Sequence, residues 1–176
     1  MLRERVLDAT VRLILAKGTD AVRLEDVASE AGVSKGGLLH HFRSKQALIE
    51  GVLRRQIAIF EAVLPPSNSP PGSFTKAWLD AAIPLTEPRR GDPSDQVAVA
   101  LLCAISGGSE TLDVLREHYE QWQERLVTDG LEPATATLVR FAVDGWWTSR
   151  ILGLAPPTGE LYQRLRQDIA DLVEPA

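Results

Sequence analysis

The chain has 176 residues, 44% of them apolar, with a formal net charge of −5 and one cysteine. That length holds one compact domain or a small head on a larger body, and the composition excludes a disordered or fibrous chain. One cysteine excludes an internal disulfide framework, and no apolar run approaches the roughly 20 residues of a membrane span, so a soluble cytoplasmic protein is expected.

The first helix is predicted over about 3–17, with Val6, Ala9, Leu13, Ile14 and Ala16 along one face and Gly18 as its stop. Its opening residues, MLRERVLDAT, are charged early and hold no signal-peptide core. A second helix over 24–31 carries Leu24, Val27, Ala28 and Ala31 at i, i+3, i+4 and i+7. Gly32-Val33-Ser34 breaks the pattern, and Ser34 is placed to cap a third helix ending near Phe42. Ser44 then caps a long fourth helix to about Leu64, with Leu48, Val52, Ile59 and Val63 on its apolar side.

The prolines of 65–73 make that stretch a linker or loop. Beyond it, helical spacing recurs at about 74–86, 95–106, 110–129, 133–154 and 158–173, separated by Pro88–Ser94, Gly107-Gly108, Gly130–Pro133 and Ala155–Thr158. Pro84 inside the fifth pattern should kink or end it. Alternation of the strand type is nowhere sustained. About nine helices describe an all-α protein: an N-terminal three-helix head over 1–50, joined by the fourth helix to a helical body over 51–176. Charge follows the same division. Residues 1–60 carry ten Lys/Arg against seven Asp/Glu, and residues 61–176 nine against seventeen. A basic head on an acidic body suits a nucleic-acid binder.

Two helices joined by a short glycine-bearing turn, as over Leu24–Lys45, are the arrangement of a helix-turn-helix, whose second helix enters the DNA major groove. The third helix, Lys35-Gly36-Gly37-Leu38-Leu39-His40-His41-Phe42, holds adjacent glycines that cost about 1 kcal/mol each relative to alanine. A surface that a DNA backbone or base edge must approach closely gives a reason for them. Ser34 and Lys35 stand at the helix N-terminus, where free N–H groups and the dipole suit phosphate. Leu38 and Phe42, at i and i+4, should pack inward with Val33, leaving Gly36, Gly37, Leu39 and His40 outward. His40 is expected to face DNA rather than a metal, since adjacent helical residues such as His40 and His41 diverge. His41 is expected to be partly buried, and Lys45, in the first turn of the fourth helix, is a candidate phosphate contact.

These residues resemble the DNA-binding domain of the tetracycline-repressor (TetR) family of bacterial transcriptional regulators. The stretches that carry the resemblance are VLDATVRLILAKG, LEDVASEAGVSKG and LHHFRSKQALIEGVL, within Val6 to Leu53. It implies a homodimer, a recognition helix around 35–41, and DNA binding relieved by a small ligand held in the C-terminal body. Three positions depart from the family pattern. Gly37 and Leu39 stand where threonine and a DNA-contacting tyrosine are common, and Arg23 stands where a phosphate-contacting threonine is usual. Leu39 can touch a thymine methyl but cannot donate a hydrogen bond. The DNA-binding set is therefore Arg23, Ser34, Lys35, Gly36, Gly37, Leu39, His40 and Lys45. No basic N-terminal arm is expected.

By the same resemblance the last two helices form the dimer contact, with Leu138, Gly145, Trp147, Leu161, Leu165 and Ile169 as candidates and ordinary intrachain packing as the alternative. Adjacent Trp146 and Trp147 diverge by about 100° on a helix, so one should face the core and the other a partner or cavity. Trp78, Ala82, Leu102, Cys103, Ser106, Phe141 and Trp146 are candidate walls of an effector cavity, and their apolar character implies a hydrophobic or aromatic ligand. No zinc-protease, CxxC, P-loop, dinucleotide or nucleophile-elbow pattern is present, so no enzyme, metal or cofactor is expected. His118 reads as a solvated residue and Cys103 as an inert apolar one. The competing reading is a helical protein-interaction or small-molecule-binding protein without a DNA role.

Overall fold

The computed structural model describes residues 1–89, 99, 102, 103 and 105–174. All regular structure among them is helical: α1 Leu2–Lys17, α2 Leu24–Ala31, α3 Lys35–His41, α4 Lys45–Glu61, α5 Ser73–Ala82, α6 Ser109–Val127, α7 Pro133–Leu152 and α8 Gly159–Asp171. The all-α class is as expected, and eight helices stand beside an expected nine. The remaining one, over 95–106, lies largely outside the described residues, as does most of the break at 88–94. Among the described residues no helix is long and apolar enough to cross a membrane. By contacts the chain divides into two units, Met1–Ala58 with Val99–Arg116, and Ile59–Ala98 with Glu117–Ala176.

In the first unit α1 packs on α2 and α3, and α2 on α3. Val6, Leu7, Ala9, Val27, Leu38, Leu48, Val52 and Leu53 form its core. Leu13 is only half-buried and Ala16 exposed, so the inner face of α1 runs through Leu7, Thr10 and Val11 instead. The Thr10 hydroxyl returns a bond to the Val6 carbonyl at 2.7 Å, which lets a polar residue sit on the buried face. α2 ends where Gly32 adopts a left-handed conformation (φ 63°, ψ 42°). The following Val33 N–H reaches back to the Ala28 carbonyl at 2.9 Å, closing the C-terminal turn.

In the second unit α4 finishes at Glu61, three residues short of expectation, because Pro65 and Pro66 disfavour helix before them. α5 stops at Ala82: Ile83 is extended (φ −114°, ψ 96°), as the residue before Pro84 must be. The N-terminus of α5 has no cap of its own. The Asp129 carboxylate supplies one, accepting from the backbone N–H groups of Phe74 (3.1 Å) and Thr75 (2.8 Å) and from the Thr75 hydroxyl (2.8 Å). Glu132 caps α7 by accepting from Thr135 N–H at 2.9 Å, with Pro133 in the first turn.

α5 packs on α7, and the Trp147 indole N–H donates to the Ala82 carbonyl at 3.0 Å. The buried side of α8 is Tyr162, Arg166, Ile169 and, just beyond it, Val173. Arg166 is 4% exposed; its Nε donates to the Ile83 carbonyl at 2.8 Å and its Nη2 pairs with Asp80. The Tyr162 hydroxyl donates to the Pro84 carbonyl at 2.5 Å. These two side chains satisfy carbonyls that the early end of α5 leaves without helical partners.

Candidate nucleic-acid interface

α3 is held in place from both ends. At its start Ser34, in extended conformation, accepts from the Gly37 N–H at 3.0 Å. At its end Phe42 is buried against α4, where Gly51 makes room for the ring: a Cβ there would lie 2.6 Å from Phe42 Cε1. Leu38 plugs the first unit's core with no exposed surface. The turn before α3 is tied to α1 by Arg5, whose Nη2 donates to the Ala31 carbonyl at 2.6 Å and the Gly32 carbonyl at 3.1 Å. Sequence reasoning missed both Arg5 and Gly51. The glycine within an otherwise regular α4 was the available signal.

Gly36 and His40 are exposed, and a Cβ at Gly36 would meet nothing within 4 Å. Gly37 and Leu39 are half-buried; a Cβ at Gly37 would come within 3.2 Å of the Ser34 capping oxygen. His41 is exposed, against expectation, with its ring edge-on to His40 at 5.3 Å between centroids. The chain's own packing therefore places no demand on Gly36 or His40.

The cations are arranged differently from one another. Lys35 Nζ lies 2.6 Å from Glu25 Oε1, an ion pair between α3 and the first turn of α2. The hydrogen bond and charge of Lys35, with a backbone hydrogen bond and the more distant Arg23, hold the Glu25 carboxyl below the ordinary carboxylate range. Arg23 is the exposed, extended residue before α2 and makes no side-chain cap. Lys45, the first residue of α4, donates to the Asp20 carbonyl at 3.0 Å.

The effector candidates fall in both units. Leu102 (half-buried), Cys103 (buried) and Ser106 (exposed) belong to the first unit. Ser106 Oγ donates to the Leu102 carbonyl at 2.5 Å, and burial pushes the Cys103 thiol up to about 12. Trp78, Ala82 and Trp146 are buried in the second unit. Trp78 sits among Phe60 (4.8 Å between centroids), Trp122 (5.2 Å), Phe74 (6.2 Å) and Tyr119 (6.3 Å), and its buried indole N–H has no hydrogen-bond partner among the described residues. Phe141 is 58% exposed, with the Arg140 guanidinium 4.5 Å from its ring centroid.

The dimer candidates also separate. Leu138 (54% exposed), Gly145, Leu161 and Leu165 are on the surface of the second unit, together with Phe141, Leu152 and Leu172. Trp147 and Ile169 are buried within it and have no face free for a partner. Both tryptophans are interior: Trp146 lies against Tyr162 at 6.1 Å, and Trp147 against Phe60 at the same separation. His118 is half-buried with Nδ1 2.9 Å from Glu61, which the Trp122 N–H also contacts at 3.2 Å, so it is more engaged than a solvated residue.

Comparison with known proteins bears on both units. Residues 6–52 match the family described as bacterial regulatory proteins, tetR family, and residues 72–174 the tetracyclin repressor-like C-terminal domain. The chain is 43% identical over 47 residues to the uncharacterized HTH-type transcriptional regulator YerO of Bacillus subtilis, covering 27% of this chain but 16% of that protein. It is 26% identical over 153 residues to the HTH-type transcriptional repressor KstR of Rhodococcus jostii, covering 85% and 71%. Its fold matches AibR, crystallised with isovaleryl coenzyme A and operator DNA, with a TM-score of 0.72 at 17% identity over 98% and 97% of the two chains. It also matches the multidrug binding protein EbrR complexed with ethidium, with a TM-score of 0.67 at 21% identity over 98% of each chain.

Proposed function

Since the chain belongs to the TetR family of helix-turn-helix transcriptional regulators, we propose that it is a homodimeric, ligand-responsive repressor acting on operator DNA in the cytoplasm. Residues 1–50 form its DNA-binding domain in this reading, and 51–176 its regulatory and dimerisation domain. The observation that carries it is α3: capped by Ser34 and anchored by Leu38 and Phe42, it turns Gly36 and His40 to solvent. Gly36, Gly37, Leu39 and His40 would meet base edges, and Arg23, Ser34, Lys35 and Lys45 the backbone. Half-buried Leu39 can offer only apolar contact, so thymine methyls are its natural partners.

Two recognition helices must lie about 34–36 Å apart to enter successive major grooves, which calls for a rigid dimer. The exposed apolar stripes Leu138–Phe141–Gly145 of α7 and Leu161–Leu165 of α8 support pairing through these helices, with Trp147 and Ile169 serving the interior behind them. The aromatic cluster around Trp78 supports an aromatic or hydrophobic effector, and an acceptor atom on it would satisfy the unpartnered indole N–H. EbrR with ethidium shows a neighbour of this fold holding an aromatic molecule and AibR one holding isovaleryl coenzyme A, and KstR is a relative named as a repressor. Binding would reach the heads through α4, weakening operator affinity by roughly 1–3 kcal/mol.

A gel-shift titration with the DNA upstream of the encoding gene tests the reading. Specific binding that falls steeply with salt, and that Lys35→Ala weakens without unfolding the chain, is expected. Absence of binding at low salt would remove the DNA role.

A further inference from the structure

We propose that Glu25 is an electrostatic brake on DNA binding: its carboxylate neutralises Lys35 at the edge of α3 and repels the phosphate that Lys35 would engage. The idea rests on α3 being the recognition helix, and adds an opposing residue to that surface.

Three cations were assigned to phosphate, and they are not equivalent. Arg23 makes no ion pair among the described residues, and Lys45 donates to a neutral carbonyl, which leaves its charge uncompensated. Lys35 alone faces a carboxylate, with Nζ 2.6 Å from Glu25 Oε1. Both side chains are more than half exposed, so the pair adds little to folding. The other ion pairs of the first unit among the described residues, such as Arg12–Glu30 at 2.9 Å, Arg55–Asp8 at 2.7 Å and Arg54–Glu50 at 2.8 Å, do not involve α3. Arg23 also acts on Glu25, so this carboxylate lies in the field of two of the three phosphate-contacting cations.

Geometry fixes the consequence. A phosphate oxygen about 3 Å from Lys35 Nζ lies within roughly 6 Å of the Glu25 oxygen bonded to the same nitrogen. That is inside the Debye length of about 8–10 Å at ordinary salt, so the repulsion survives screening. Lys35 then contributes less than one full charge to counterion release. Glu25 is not needed to complement the dipole of α2, because Asp26 stands in the same first turn.

The test uses the full chain and a fluorescein-labelled 30-bp duplex of arbitrary sequence, with affinity read by anisotropy as NaCl is raised. Glu25→Gln should bind about 3- to 10-fold more tightly at low salt, with a salt slope steeper by a fraction of the roughly 0.9 that one whole phosphate contact contributes. Glu30→Gln makes the same change in net charge beside Arg12 and should shift affinity less than twofold, with thermal melts showing both variants folded. Salt-sensitive binding by the wild type with no gain, or a loss, in Glu25→Gln would overturn the brake and leave the DNA role standing. An equal gain in Glu30→Gln would reduce the effect to net charge and also overturn it. A wild-type chain that binds no duplex at low salt would remove the DNA role and the brake together.

Discussion

Replacing Gly51 by alanine tests how α3 is seated. Alanine is normally favoured over glycine in a helix by up to about 1 kcal/mol. Here the added Cβ would stand 2.6 Å from Phe42 Cε1, 3.4 Å from Cζ and 3.5 Å from Leu7 Cδ2. Carbon atoms pack at about 3.5–4.0 Å, so the first contact is short by roughly 1 Å. Phe42 is itself 4% exposed, with the Arg3 guanidinium 5.6 Å from its ring centroid, so the ring cannot simply swing into solvent. Overpacking costs about 1–3 kcal/mol, and a contact this short belongs in the upper half of that range, leaving a net loss of about 1–2 kcal/mol after a propensity gain of about 1 kcal/mol. For a chain of this size that is a fall in Tm of about 3–6 °C, read by circular dichroism. DNA affinity should fall as well, because Phe42 directly follows α3. In a Phe42→Leu background the same substitution should be neutral or stabilising, since the obstructing ring is gone. A Gly51→Ala variant as stable as the wild type would show that Phe42 shifts freely and does not fix the recognition helix.

Other consequences follow from single groups. Asp129→Ala removes the three bonds that cap α5 and should cost about 1–2 kcal/mol in urea unfolding, with Asp129→Asn recovering part of it; an unchanged midpoint would show that water caps the helix equally well. The Cys103 thiol, pushed up to about 12 by burial, should resist alkylation at pH 8 in the folded chain and react readily in urea; fast native labelling would place it at the surface. Burial raises the folded pKa of Asp144 above its ordinary value, although Tyr119 and Arg140 oppose this. The native state then holds that proton more tightly than the unfolded chain, so the Asp144 contribution is present at low pH and lost as pH rises through the raised value. Asp144→Asn should flatten the stability profile across that window; an identical profile would refute the assignment.

The head was largely legible in the sequence because its signals are local. Gly18, Gly32, Ser34 and Ser44 punctuate the helices where backbone chemistry requires a stop or a cap, and α2 begins and ends as expected. Arg5 and Gly51 were not legible, since their partners lie 26 and 9 residues away across the fold. In α8 the apolar spacing Leu161–Leu165–Ile169 suggested one stripe, but the buried side is Tyr162–Arg166–Ile169–Val173. A buried arginine, satisfied by Asp80 and the Ile83 carbonyl, displaced the face that hydrophobicity alone would choose. The leucines were left outside and Ile169 was drawn inside. Trp147 is buried for a related reason: its N–H finds a backbone acceptor at the end of α5, which spacing on α7 could not reveal. Phe141 shares the outward side of α7 with Leu138 and Gly145, an orientation that helical spacing alone does not fix.

The placement of α3 in the major groove is tested most directly by dimethyl sulfate protection of guanine N7 on the DNA upstream of the gene, because that atom lies in the major groove. Two protected patches, centred about 10 bp apart or at a multiple of that spacing, are the result expected of paired recognition helices. Tight binding that leaves every guanine N7 open to methylation would contradict it.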